Sequence, residues 1–134
     1  MKSKAIEYFN ARIDRLKPHY DPAKLFAKLE KTARKIGAKS AYAILVLYYS
    51  LLGGNVSLKD RAMIIAALGY FILPADLLPD IMGLIGFTDD FAVIWYVYRR
   101  IRGSVTDDIK EKARRRVATW FPEDSQASGD DDSD

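Results

Sequence analysis

The chain has 134 residues, 49% apolar and 29% charged, which suits one globular domain and excludes both a disordered chain and a multi-span transporter. It holds no cysteine and one histidine, which excludes disulfides, thiolate zinc sites, iron–sulfur clusters, cysteine nucleophiles and multi-histidine metal centres. The net charge of +3 conceals segregation: residues 1–39 carry +7, residues 40–98 carry −3, residues 99–122 carry +5, and residues 123–134 hold six acids and no base.

The spacing predicts an all-α fold of six helices and no strand. The first is expected from Lys4 to Lys17, with Ile6, Phe9, Ile13 and Leu16 on one face and Pro18 as its stop. Asp21-Pro22 reads as a cap followed by proline at the first helical position. The helix it starts has a stripe of Leu25, Phe26, Leu29, Ala33 and Ile36, with Lys24, Lys28, Lys31, Arg34 and Lys35 opposite and Gly37 as terminator. Ser40 to Leu52 is apolar almost all round and ends at Gly53-Gly54-Asn55. Ser57 caps a fourth helix that runs to Leu73, again without a polar face. Helices of that kind are buried in a protein core or in lipid. Thr88 with Asp89 and Asp90 reads as the start of a fifth helix, ended by Gly103 or Ser104. Thr106-Asp107-Asp108 starts a sixth, with Ile109, Ala113, Val117 and Trp120 on one face and Pro122 at its close. The whole predicts a compact bundle: one helical domain over 1–122 with a central apolar hairpin, basic amphipathic helices over 1–39 and 104–122, and a disordered acidic tail over 123–134.

A membrane span needs about 20 apolar residues for a hydrocarbon core of about 30 Å. The two apolar helices fall short of that, so each reads singly as a core helix or part of a re-entrant hairpin. Three features favour a membrane. Basic segments bracket the apolar pair, as when both ends stay on the cytoplasmic face. The basic helices suit anionic lipid. Tyr42, Tyr48, Tyr49, Tyr70, Trp95, Tyr96 and Tyr98 cluster near the ends of the apolar stretches. Against them stands the plain reading of solvated basic faces and core tyrosines with wet hydroxyls. The N-terminal MKSKAIEYFNARID has no uninterrupted apolar stretch and no cleavage site, so it does not read as a signal peptide.

The most informative stretch is Gly69 to Ile94, GYFILPADLLPDIMGLIGFTDDFAVI. Its Pro74, Asp76, Leu77, Leu78, Pro79, Asp80, Gly86, Asp89 and Asp90 match an aromatic, Pro-x-Asp-Leu-Ile-Pro-Asp, a short apolar stretch with glycine, then Asp-Asp. In this it resembles the YkvA-like family of small bacterial proteins, a domain of unknown function, over about residues 46–97. One departure is visible: where that family often has a further proline, this chain has Ile81-Met82-Gly83-Leu84. The resemblance implies a compact, helical, membrane-associated module and supplies no reaction.

Four aspartates in an apolar setting need compensation. Asp76, Asp80, Asp89 and Asp90 can bind a hard cation, Mg²⁺ or Ca²⁺, through oxygen. They can pair with Arg61, Arg99 or Arg100. They can also cap helices, with Pro74, Pro79 and Gly86 shaping the connection. His19, in a turn, reads as a surface residue. Arg114-Arg115-Arg116 reads as a solvated helix face or a contact to phosphate. Lys24, Lys28 and Lys31 complete the expected basic surface.

The first functional expectation is a non-enzymatic, membrane-associated accessory or scaffold, with the hairpin of Ser40–Leu52 and Arg61–Leu73 in or on the bilayer. Its expected partners are anionic lipid, a membrane protein or a second copy of the chain. The alternatives are a soluble nucleic-acid binder using the basic flanks, ranked lower because few aromatics lie among the basic clusters, and a metal-dependent protein or enzyme using the four aspartates.

Overall fold

A computed structural model describes residues 4–53, 55–73 and 91–122. Among them lie seven α-helices and no strand: α1 (Lys4–Ala11), α2 (Ile13–Leu16), α3 (Pro22–Ile36), α4 (Ala38–Gly53), α5 (Leu58–Ile72), α6 (Ala92–Ile101) and α7 (Asp107–Trp120). The fold is all-α, as expected.

Three helices start at side-chain caps. Asp21 accepts from the amides of Ala23 (2.8 Å) and Lys24 (3.3 Å) ahead of α3. Ser57 accepts from Asp60 (3.1 Å) ahead of α5, and Thr106 from Ile109 (3.2 Å) ahead of α7. Each satisfies amides that a helix start leaves without partners. Gly37 takes φ +94, a region that side chains disfavour, and alone separates α3 from α4.

The first expected helix differs from expectation. The first helix is two, broken at Arg12 (φ −128, ψ 25), and a 3-10 turn over Lys17–His19 carries the chain through Pro18. The break lets each piece bury its own apolar residue: α1 packs on α6 and buries Phe9, while α2 packs on α5 and buries Leu16. α6 begins at Ala92, with Phe91 at the cap position and no side-chain cap bond. Thr88, Asp89 and Asp90, expected to start it, lie outside the described residues.

The centre is α4. It touches α3, α5, α6 and α7, and every residue from Ala41 to Leu47 is fully buried. That explains its lack of a polar face: each side of the helix meets protein. Its tyrosines divide accordingly. Tyr42 is fully buried, and so is Tyr98 of α6, so these two are core residues rather than interface aromatics. Tyr48 and Tyr49 are half-buried. α5 packs so closely on the α2 end that a Cβ at Gly69 would lie 2.4 Å from the carbonyl oxygen of Leu16. Only a glycine allows that approach. Among the described residues, no helix is long and apolar enough to cross a membrane.

Candidate functional site

The residues of the aspartate motif, Asp76, Asp80, Asp89 and Asp90 with Pro74, Pro79 and Gly86, lie outside the described residues. Among the described residues no group of three or more histidine or acidic side chains could hold a metal. Two of the arginines considered as partners for the motif have other contacts. Arg61 donates to the carbonyl of Leu51 (2.8 Å), and Arg100 pairs with Asp60 (2.7 Å). The Asp60 hydrogen bond holds the Arg100 guanidinium above its ordinary pKa.

The expected basic surface separates into two regions. Lys24, Lys28 and Lys31 line a cavity of about 710 Å³ at the C-terminal end of α5, together with the exposed His19 and the half-buried Tyr20. Lys28 has a structural task there. Its ammonium donates to the carbonyls of Phe71 and Leu73 (3.2 Å to the latter) and lies 5.0 Å from the centre of the Phe71 ring. It thus satisfies carbonyls that the end of α5 leaves free, at the negative pole of the helix. Burial lowers its pKa. Burial first, then Tyr48 and Asp21, raises that of the Tyr20 phenol.

The second region is an open groove of about 540 Å³ between the end of α4 and one face of α7. Lys112, Arg115 and Arg116 line it, with Tyr49, Leu52 and Ile109 as its apolar side. α7 neutralises much of its own charge. Lys112 pairs with Asp108 (3.3 Å), and Glu111 receives both Arg114 and Arg115 (3.2 Å each). Arg116 differs. Its guanidinium lies 4.7 Å from the centre of the Phe26 ring and 5.9 Å from that of Trp120, and it has no carboxylate partner among the described residues. Phe26 meets Tyr48 edge-on (4.9 Å), and Tyr48 meets Tyr49 (5.1 Å). An aromatic row therefore runs from the arginine back to the groove wall.

At the mouth of this groove is the α4–α5 turn. Leu52 is 64% exposed and Leu58 85%, the exposed large apolar side chains among the described residues. Both escape a reading based on helical stripes, because Leu52 looks like the last turn of an apolar helix and Leu58 like the first of another. The signal was the intervening Gly53-Gly54-Asn55: leucines on either side of a sharp turn lie at its tip. The Arg116 setting was invisible for another reason, since Phe26 and Arg116 are far apart in sequence.

No curated protein and no solved structure matches the chain. The family resemblance does hold over a segment narrower than expected, starting within α5 rather than in α4. Residues 60–96 match the family model described as a protein of unknown function (DUF1232), and that segment therefore carries the signature of the YkvA-like family.

Proposed function

We propose that this protein is a non-enzymatic accessory module that attaches peripherally to an anionic membrane surface, on the cytoplasmic face, with the α4–α5 turn set among the headgroups. The observation that carries it is the exposed pair Leu52 and Leu58 at one turn. Single exposed leucines are ordinary, but these two flank one turn, with Lys112 and Arg115 in the groove wall beside Leu52, Arg61 on the carbonyl of Leu51 and Lys59 next to Leu58 in the chain, an apolar pair with basic neighbours. The arrangement suits an interface whose outer layer is anionic and whose inner layer is apolar. Partial burial of two leucines at about 1.5 kcal/mol each, with about 1 kcal/mol for each of Lys59, Arg61 and Arg115 (Lys112 is paired with Asp108), gives on the order of 6 kcal/mol. That corresponds to a reversible attachment in the range of tens of micromolar. Because α4 is sheathed by protein, the attachment is assigned to the turn rather than to the whole hairpin.

Co-sedimentation with vesicles tests it. The protein is expected to pellet with phosphatidylcholine vesicles containing phosphatidylglycerol, to stay in the supernatant with phosphatidylcholine alone, and to be released by high salt. Leu52→Gln with Leu58→Gln should weaken binding about tenfold or more. Equal binding by that double variant, or no binding to either vesicle, overturns the proposal.

A further inference from the structure

We infer that the groove between the end of α4 and α7 is a phosphate site, and that the phosphate it takes is the headgroup phosphate of an anionic glycerophospholipid. The inference deepens the proposed membrane attachment and rests on it for the source of the phosphate, though not for the site itself.

The centre of the site is Arg116. An arginine on a helix surface is usually mobile and partly neutralised by a neighbouring acid three or four positions away. This one is held in place by Phe26 on α3 and Trp120 on its own helix, at 4.7 and 5.9 Å. Aromatic stacking uses the face of the guanidinium and leaves its edge, with the N–H donors, open to an anion. Arg116 lines the groove; the carboxylate of Asp108 lines it too, but pairs with Lys112 and not with Arg116. Lys112 and Arg115 line the same groove: Lys112 is neutralised by Asp108, whereas Arg115 shares Glu111 with Arg114, so the two add donors and about one net positive charge. The hydroxyls of Thr106 and Thr119 are also at the wall. The groove therefore has one unneutralised planar cation, further donors, and room for a group much larger than a phosphate at about 540 Å³. Bidentate recognition of phosphate oxygens is what such a fork provides.

The apolar wall decides between a lipid and a soluble phosphate. Leu52 lines this groove and is also the exposed leucine of the turn. A headgroup phosphate at Arg116 would direct its glycerol and acyl chains past Tyr49 and Leu52 toward the point of the molecule assigned to the bilayer. A free phosphate has no use for that wall.

The test has two arms on the full-length protein. In the first, without lipid, inorganic phosphate is titrated while the side-chain Nε–H resonances of Arg115 and Arg116 and the Trp120 indole N–H are followed by NMR, with chloride at matched ionic strength as control. A saturable shift at Arg116 and Trp120 is expected with phosphate and not with chloride. Arg116→Gln should lose it, and Arg116→Lys, which keeps the charge but not the fork, should weaken it about tenfold. Absence of a saturable shift overturns the site. In the second arm, Arg116→Gln and Lys112→Gln are compared with wild type on phosphatidylglycerol vesicles. Arg116→Gln is expected to bind about tenfold more weakly, and Lys112→Gln severalfold. Lys112 is exposed and makes none of the aromatic contacts of Arg116, so its variant probes the groove without disturbing the packing of α3 on α7. If both variants bind vesicles like wild type, the headgroup assignment fails while the leucine attachment stands. If phosphate shifts Arg116 but wild type binds no vesicle, the lipid source and the membrane attachment fail together, and the groove is a site for free phosphate.

Discussion

α3 and α7 are two solutions to one sequence pattern. Both are basic, both carry an apolar stripe at i, i+4 and i+8, and both bury it: Leu25, Leu29 and Ala33 in one, Ile109, Ala113 and Val117 in the other. Their charges behave differently. α7 folds its acids back on its own bases at helical spacing. α3 has Glu30 as its one internal acid, and it directs Lys28 into the end of α5 instead. A count of lysines and arginines treats the two alike. The structure shows that one lysine of α3 is a structural strut, whereas the cation of α7 left without a carboxylate among the described residues is the one clamped by aromatic rings.

The comparison can be broken at several points. The largest effect is expected from the shared feature, the stripe. Leu29→Ala should cost about 2–5 kcal/mol in urea unfolding, and Val117→Ala less, since it removes two carbons rather than three. Near-neutral results at either would mean that helix is not held by its stripe. Next comes the difference between the lysines. Lys28→Met should cost about 1–2 kcal/mol because two carbonyls at the end of α5 lose their donor. Lys112→Met should stay within about 0.5 kcal/mol, as for an exposed i,i+4 pair. Equal losses would erase the distinction. The caps follow: Asp21→Ala and Thr106→Ala should each cost about 1 kcal/mol, seen as lowered melting temperatures.

The smallest effect is a pH dependence. The folded-state pKa of Tyr20 is raised above the ordinary 10.0, first by burial. Its share of stability is therefore complete below that pH and lost as pH rises beyond it. Wild type should lose stability relative to Tyr20→Phe above about pH 10 and match its pH profile below. Lys28, whose pKa burial lowers, acts in the opposite direction, adding stability as pH rises toward 10.5. The difference between wild type and Tyr20→Phe removes that contribution. A parallel profile for the two proteins across the alkaline range would place Tyr20 in solvent.

Much of the fold was legible because it is written locally. Asp21, Ser57 and Thr106 announce helix starts through the amides that follow them, and Gly37 announces an end. Three things were not legible, each because it depends on distant residues. The break at Arg12 follows from where Phe9 and Leu16 find partners. Gly69 looks like a weak point in an apolar helix, and its use emerges only where the backbone at Leu16 passes over it. The apolar belt of α4 has the same periodicity whether protein or lipid surrounds it; here α3, α5, α6 and α7 surround it. The candidate site was half legible. Arg115 and Arg116 stood out as a basic run, but the groove, the aromatic clamp and the paired leucines of the turn belong to tertiary structure.

The most direct measurement uses the absence of cysteine. Leu52→Cys, Leu58→Cys and, as control, Lys35→Cys each give a single site for an environment-sensitive fluorophore in an otherwise cysteine-free chain. With phosphatidylglycerol-containing vesicles, the label at 52 and at 58 is expected to shift to the blue and brighten while the label at 35 stays as in water. Unchanged emission at 52 and 58, or an equal change at all three positions, would contradict attachment through the α4–α5 turn.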